Sequence, residues 1–258
     1  MTLTLAARLF EVLLGFSLLL QTFEFLKIQS IDRVSDWQIQ RTEVPVHPEA
    51  WLWTLDRLFQ PQAYLGLLVV RGTLAVWLMA GGLPAWGAWL LFALGVVMLF
   101  RWRGAFNGGS DFMTLVGLTG LLLAQGVGAW TDMTHGWRVG LWYVTLQSLT
   151  SYFVSGWVKL MRPEWRSGEA LPAFLDTGIY GPLPQDSVFR RPAVARLVAW
   201  SFTVWEGCFP LALLDVRLAA VFCVVAAGFH FLVFYFFGLN RFFWAWLVTF
   251  PAVLYAAS

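Results

Sequence analysis

Long apolar runs separated by short polar connections make up most of this chain. A helix needs about 20 consecutive apolar residues to cross a bilayer, and eight segments approach that length. These segments are residues 5–26, 62–80, 84–101, 111–130, 138–160, 194–214, 216–237 and 241–257. The pattern predicts an all-α fold: a polytopic transmembrane helix bundle of about eight spans, in one domain that covers residues 1–258.

Two connections between the predicted spans are long. Residues 27–61 contain a stretch from Glu49 to Phe59 in which tryptophans and leucines alternate with charges. That arrangement predicts a short amphipathic helix lying on the membrane interface. The second long connection, residues 161–193, is rich in proline and arginine.

Composition supports the membrane assignment. Hydrophobic residues make up 59% of the chain and charged residues only 12%, and soluble domains carry about 25% charged residues. The mean hydropathy is +0.67. The net charge of +2 is too small to indicate a nucleic-acid partner. We therefore expect an integral, multi-pass protein whose main partner is the lipid bilayer.

The fifth predicted span carries a polar side chain at every fourth position: Tyr143, Gln147, Ser151, Ser155 and Lys159. Neighbours four residues apart lie next to each other on a helix surface. Polar groups at bilayer depth need an internal partner or a wet cavity, so this row indicates a functional surface. The simpler alternative for Lys159 is that its amine snorkels to the interface.

Other ionisable residues fall inside predicted spans. We expect Arg71 to be a structural clamp whose partner is one of three acids, Glu11, Glu24 or Glu206. For His230, a hydrogen-bonded core residue and a functional residue are equally good interpretations. Three glycines are expected to allow close helix packing, namely Gly156, Gly207 and Gly228.

No metal site is predicted. The three histidines are widely spaced in the sequence, and both cysteines fall inside predicted spans. A metal site or a disulfide framework needs a denser grouping than this.

Three segments resemble a known family. They read YFVSGWVKLMRPEWRSGEAL, WEGCFPLALLDVR and GFHFLVFYFFGLNRFFWAWLVTFP. They are similar to the membrane half of vitamin K-dependent gamma-glutamyl carboxylase and of the related bacterial HTTM proteins. The resemblance covers residues from about 100 onward, and the first hundred only in general layout.

The resemblance implies a site and a chemistry. It makes Lys159 the base that deprotonates a reduced quinone of the vitamin K or menaquinone type, with His230 as a second catalytic residue. It places Trp165 and Gly168 in a structural role near that lysine. Residues expected to help bind the quinone are Ser151, Ser155, Glu206, Asn107 and Asp111. A bacterial inner membrane is the implied location.

The segment AFNGGSDFM, which contains Asn107 and Asp111, has two interpretations. Its glycines and polar residues are typical of an ordinary capped helix start. Exposed backbone N–H groups at such a start can also bind an anion or an oxyanion. In the carboxylase a histidine follows the asparagine, whereas this chain has Gly or Asp at the possible alignments.

Three functions remain open at this point. The first is a quinone-using, carboxylase-like enzyme that modifies a peptide or a small substrate. The second is a non-catalytic maturation or assembly partner that binds a peptide or another membrane protein. The third is a carrier of protons or small molecules. The membrane orientation is also open, because most of the 17 basic residues lie on the side of both long loops. The positive-inside rule assigns that side to the cytoplasm, and the family arrangement assigns it to the outside.

Overall fold

The computed structural model describes residues 1–31, 37–42, 49–102 and 108–258. The regular structure within these ranges is helical, without a strand. The α-helices are α1 (Leu3–Ile31), α2 (Trp37–Arg41), α3 (Glu49–Leu58), α4 (Pro61–Ala80), α5 (Ala85–Trp102), α6 (Gly108–Trp130), α7 (Met133–Met161), α8 (Pro163–Ser167), α9 (Ala170–Leu175), α10 (Pro192–Gly207), α11 (Val216–Phe237), α12 (Asn240–Leu247) and α13 (Phe250–Ala256). Short 3-10 turns cover Val188–Arg190 and Phe209–Leu214.

Five helices are long and apolar enough to cross a membrane. They cover Leu3–Ser30, Pro61–Ala80, Ala85–Trp102, Gly109–Trp130 and Val216–Phe237. The all-α, multi-pass character predicted from the sequence is confirmed. Helix α7 has 29 residues and is also long enough, but its polar and charged side chains keep it out of this apolar set.

Two predicted spans are broken by proline. Residues 241–257 form α12 and α13 with a break at Val248 and Thr249, just before Pro251. Proline lacks an N–H and clashes with the carbonyl four residues earlier, so a continuous helix through Pro251 is unfavourable. In the same way α10 ends at Gly207, and the chain continues as a 3-10 turn that contains Pro210.

The helices divide between two compact units. The first unit is Ala7–Gly140, and the second consists of Met1–Ala6 with Leu141–Ser258. The single membrane domain expected from the sequence stays a prediction.

The short helix predicted from Glu49 to Phe59 is present as α3, and its location on the membrane interface stays a prediction. Trp51 and Trp53 on this helix are largely exposed, whereas Leu55 is buried. The carboxylate of Asp56 accepts hydrogen bonds from Trp37 Nε1 and Arg41 Nε, each at 2.7 Å, and this ties α2 to α3. One face therefore packs inward and the other presents tryptophans, as an interfacial helix requires.

Arg71 of α4 is buried and clamps α4 to α1. Its guanidinium donates to the carbonyl oxygen of Leu18 at 2.7 Å, to Thr22 Oγ1 at 2.6 Å and to Gln21 Oε1 at 2.8 Å. Gln21 in turn donates to Thr114 Oγ1 of α6 at 2.8 Å. The structural role predicted for Arg71 agrees with this network.

Two of the acids expected to pair with Arg71 have other partners. Glu11 accepts from Arg8 at 2.8 Å, and Arg8 also donates to the carbonyl oxygens of Leu78 and Met79 at the end of α4. Glu206 pairs with Lys159. The pairing of Arg71 with Glu24 stays a prediction.

In the second unit, α7 and α10 approach closely at a glycine. A Cβ atom at Gly156 would meet the amide nitrogen of Gly207, would lie 2.8 Å from the Cα of Gly207 and 2.9 Å from the carbonyl oxygen of Thr203. The prediction of close packing is confirmed for Gly156, where the backbone of Gly207 approaches. A Cβ at Gly207 or at Gly228 would have nothing within 4 Å, so close packing does not require glycine at either position.

Candidate functional site

Lys159 forms a compact polar cluster with Ser155 and Glu206. Its Nζ lies 2.5 Å from Glu206 Oε2 and 2.7 Å from Ser155 Oγ. The Lys159 amine thus joins Ser155 of α7 to Glu206 of α10. The Lys159 side chain is 16% exposed and the Glu206 side chain 4%. Lys159 is therefore held in an inward contact, which favours a built polar cluster over the snorkelling interpretation.

The local geometry of two helices creates this cluster. Ser155 and Lys159 are one turn apart on α7, so their side chains meet on one face. Glu206 lies in the last turn of α10, next to Gly207, where the backbones of α7 and α10 approach each other. The absence of a side chain at Gly156 brings the carboxylate within reach of the amine.

Lys159 also faces an apolar cavity of about 370 Å³. Apart from the lysine and one indole, the lining is entirely hydrocarbon or phenyl. The lining residues are Lys159, Trp165, Leu171, Phe174, Leu175, Phe189, Val198, Phe202, Phe229, Leu232, Val233, Phe236 and Phe237. Lys159 is the charged residue among them, so it defines a polar end of an otherwise apolar space.

Trp165 and Gly168 shape this end of the cavity. The Trp165 ring centroid lies 5.2 Å from Lys159 Nζ, within the range of a cation–π contact. Gly168 ends α8 with φ +91°, and a Cβ there would lie 2.5 Å from the amide nitrogen of Arg196 in α10. A left-handed conformation and a close backbone approach both require glycine at this position.

The cavity has an edge that reaches the outer surface of the second unit. Phe174 of α9 and Leu232 of α11 both line the cavity, and each is 47% exposed. The Phe174 ring packs on that of Phe237, with centroids 4.5 Å apart, so α9 closes over the end of α11. The cavity therefore lies nearest the surface of this unit at Phe174 and Leu232, between α9 and α11.

His230 is buried in an aromatic cluster and is not among the residues that line the cavity. Its Nε2 is 2.6 Å from the hydroxyl of Tyr152, and its ring stacks on Trp246 at 4.8 Å between centroids. Tyr152 itself stacks on Phe209 at 3.9 Å. These contacts favour the interpretation of His230 as a core residue.

The polar row on α7 divides into two parts. Ser155 and Lys159 belong to the cluster described above. Ser151 donates its hydroxyl to the carbonyl oxygen of Gln147 at 2.7 Å, and the Gln147 side chain is exposed. Ser151 is thus satisfied by its own helix, which is common for serine in a helix interior.

The remaining predicted binding residues lie elsewhere in the sequence. Asp111, in the first turn of α6, belongs to the first unit, where it lines a cavity of about 20 Å³ together with Arg71 and Gln21. Asn107 lies outside the described residues. The expectation that these two residues help bind a quinone stays a prediction.

The sequence analysis did not single out Tyr152, which hydrogen-bonds His230. It lies seven residues before Lys159, which is close to two helical turns, so both fall on one face of α7. This seven-residue spacing is the feature of the sequence that places Tyr152 on the same face as Lys159. Its partner on α11 and the phenyl lining of the cavity depend on tertiary packing.

The cluster can hold and move a proton beside an apolar space. A lysine ammonium offers three donors and no acceptor, and an ionised carboxylate offers only acceptors. The pair can exchange one proton between Nζ and Oε2 across their 2.5 Å contact. No family model, curated protein or solved structure matches this chain, so the resemblance to the carboxylase family stays a hypothesis.

Proposed function

We propose that this membrane protein binds a quinone-class molecule in the cavity beside Lys159 and acts as a base on its reduced form. The observation that carries the proposal is the position of Lys159, which contacts Glu206 and Ser155 and also faces the cavity. The resemblance to the quinone-dependent carboxylases adds the reaction class. The acceptor of the modification would be a peptide or a small molecule.

The cavity fits a planar aromatic ring. Small-molecule sites are usually about 300–1,000 Å³ in volume, mostly apolar, with a few polar groups that fix orientation. The volume of about 370 Å³ and the single charged side chain agree with that description. Phe202 and Phe229 provide flat faces for stacking.

The residues of the site would have different roles. Phenyl and aliphatic side chains exclude water and hold the ring, and Lys159 Nζ receives or donates a proton at the ring oxygen. When bound, a reduced quinone supplies a hydroxyl that becomes a strong nucleophile towards oxygen after deprotonation. Ser155 and Trp165 keep the amine aimed at the cavity.

We also infer more than five membrane crossings. Helix α7, the segment from α10 through the following 3-10 turn, and the pair α12 and α13 would each add one, for a total of eight. Each of these segments approaches the length of about 20 residues that a crossing needs. Apolar residues dominate all three.

The proposal is tested by the quinone content of the purified protein. Val198→Trp fills the cavity from its wall, whereas Leu197→Trp adds the same ring at the neighbouring exposed position, which does not line the cavity. After purification from a quinone-producing host, the natural protein and Leu197→Trp should both release quinone into organic solvent. Val198→Trp should release little.

A second measurement uses 2-methyl-1,4-naphthoquinone as an added ligand, with binding followed by fluorescence quenching. The natural protein should bind it, and Val198→Trp should bind it at least tenfold more weakly. Equal binding by both tryptophan variants, or an absence of quinone from every preparation, would contradict the proposal. An assembly partner without a ligand would then be the better interpretation.

A further inference from the structure

We infer that the base in this site is the Lys159–Glu206 pair, and that the proton taken from a ligand hydroxyl comes to rest on the Glu206 carboxylate. The inference rests on the proposed function and assigns Glu206 a task within it. Lys159 touches the ligand, and Glu206 acts through Lys159.

Charge balance in the buried cluster is the first argument. With Glu206 ionised and 4% exposed, a neutral amine at Lys159 would leave a carboxylate buried without a counter-ion. Such an arrangement is strongly unfavourable. The resting pair is therefore an ammonium and a carboxylate, joined at 2.5 Å.

The second argument is that an ammonium cannot accept a proton. It has no lone pair, so Lys159 in its resting form can only donate. The lone pairs in the cluster belong to the Glu206 carboxylate and, more weakly, to the Ser155 hydroxyl. Lys159 can serve as a base only after it has passed one proton to Glu206.

The atoms and charges of this step balance. An Nζ–H bond of Lys159 breaks and an O–H bond forms on Glu206. The ligand O–H bond then breaks and a new Nζ–H bond forms on Lys159. The result is a neutral carboxylic acid, an ammonium and a ligand anion. The total charge is unchanged, and the new anion lies beside the ammonium.

Placement within the cluster supports this direction of transfer. Lys159 lines the cavity and Glu206 does not, so the amine lies between the ligand and the carboxylate. Ser155 accepts a hydrogen bond from Nζ at 2.7 Å and keeps the amine aligned with the carboxylate. A proton from the cavity therefore reaches Glu206 through Nζ.

The test uses 4-nitro-1-naphthol, a bicyclic aromatic alcohol whose anion absorbs visible light. It is added to the purified protein at a pH at which the dissolved probe keeps its hydroxyl proton. The natural protein should turn the bound probe into its coloured anion. At the same time, infrared difference spectra should show the C=O stretch of a newly protonated carboxylic acid.

Two isosteric variants locate that carboxylic acid. Glu206→Gln keeps an acceptor for Lys159 but cannot take a proton, so the infrared band should be lost even where the bound probe is coloured. Glu11→Gln alters the other buried acid that pairs with a cation, and both signals should remain. Binding of 2-methyl-1,4-naphthoquinone, which needs no proton transfer, checks that Glu206→Gln still folds.

The possible results separate the two claims. A coloured bound probe without a carboxylic acid band in the natural protein, or a band that survives in Glu206→Gln, overturns the role of Glu206 and leaves the proposed function in place. A probe that binds and stays colourless overturns the base function as well. A probe and a naphthoquinone that both fail to bind overturn the proposed function itself.

Discussion

Replacing Gly156 with alanine tests the packing that builds the site. The added methyl group would lie 2.8 Å from the Cα of Gly207 and 2.9 Å from the carbonyl oxygen of Thr203. Ordinary contact begins at 3.4 Å, which leaves a shortfall of 0.6 Å at Gly207 Cα. Both atoms belong to the backbone of α10, so a side-chain rotation cannot relieve the clash. The two helices must move apart.

The expected cost follows from two opposing effects. Overpacking of this kind costs about 1–3 kcal/mol. Alanine in a helix interior is favoured over glycine by about 1 kcal/mol, which offsets part of that cost. Gly228→Ala in α11 is the matched control, because a Cβ there has nothing within 4 Å and only the favourable effect remains. We expect Gly156→Ala to be less stable than Gly228→Ala by about 1–3 kcal/mol.

Denaturant unfolding in detergent micelles, followed by circular dichroism, measures this difference. The separation of α7 from α10 should also lengthen the 2.5 Å contact between Lys159 and Glu206. Gly156→Ala should therefore give less coloured anion with the nitronaphthol probe, whereas Gly228→Ala should match the natural protein. Equal stability and equal colour in the two variants would refute the packing argument.

Four further predictions concern the lysine, the cavity edge, the Arg71 clamp and the membrane orientation. Lys159→Arg keeps the charge but cannot release a proton, and Lys159→Met has no proton to exchange. Neither variant should form the coloured anion of the probe. Formation of the anion by the arginine variant would exclude proton transfer through Nζ. Leu232→Trp should lower the rate at which ligand enters the cavity. Val224→Trp is the control, because Val224 is an exposed residue of α11 that does not line the cavity, and it should leave the rate unchanged. Equal rates in the two variants would argue for another entrance. Arg71→Met should lower the free energy of unfolding by about 2–5 kcal/mol, because it leaves buried oxygens without donors. A change below about 0.5 kcal/mol, as at an ordinary surface site, would reject the role of Arg71 as a clamp. A cysteine at Asp186 should react with an impermeant reagent in intact cells if the family orientation holds, and labelling only after lysis would support the orientation given by the charge bias.

Fold class was predictable from the sequence because apolar runs carry a strong signal. The apolar helices and the amphipathic α3 follow from run length and from the placement of tryptophans. The breaks near Pro210 and Pro251 were not anticipated, because an average over an apolar run ignores the one residue that cannot donate a hydrogen bond.

Only those contacts of the candidate site that join residues close together in the sequence could be predicted. Ser155 and Lys159 are four residues apart, so their contact follows from helix geometry. Glu206 was assigned to a ligand pocket and, as an alternative, to Arg71. Its actual partner depends on how α10 packs against Gly156, and no periodicity in the sequence encodes that contact. The hydrogen bond between Tyr152 and His230 has the same tertiary origin.

Arg71 and Lys159 show how two cations buried in an apolar chain acquire different roles. The guanidinium of Arg71 donates to a carbonyl, a hydroxyl and an amide oxygen, and it cannot lose its proton at any ordinary pH. The ammonium of Lys159 contacts a carboxylate that can take its proton, and it faces a space large enough for a ligand. An amine with a proton acceptor on one side and a cavity on the other can exchange protons with what enters. Chemistry is therefore expected at Lys159, and the same reasoning makes Arg71 a clamp.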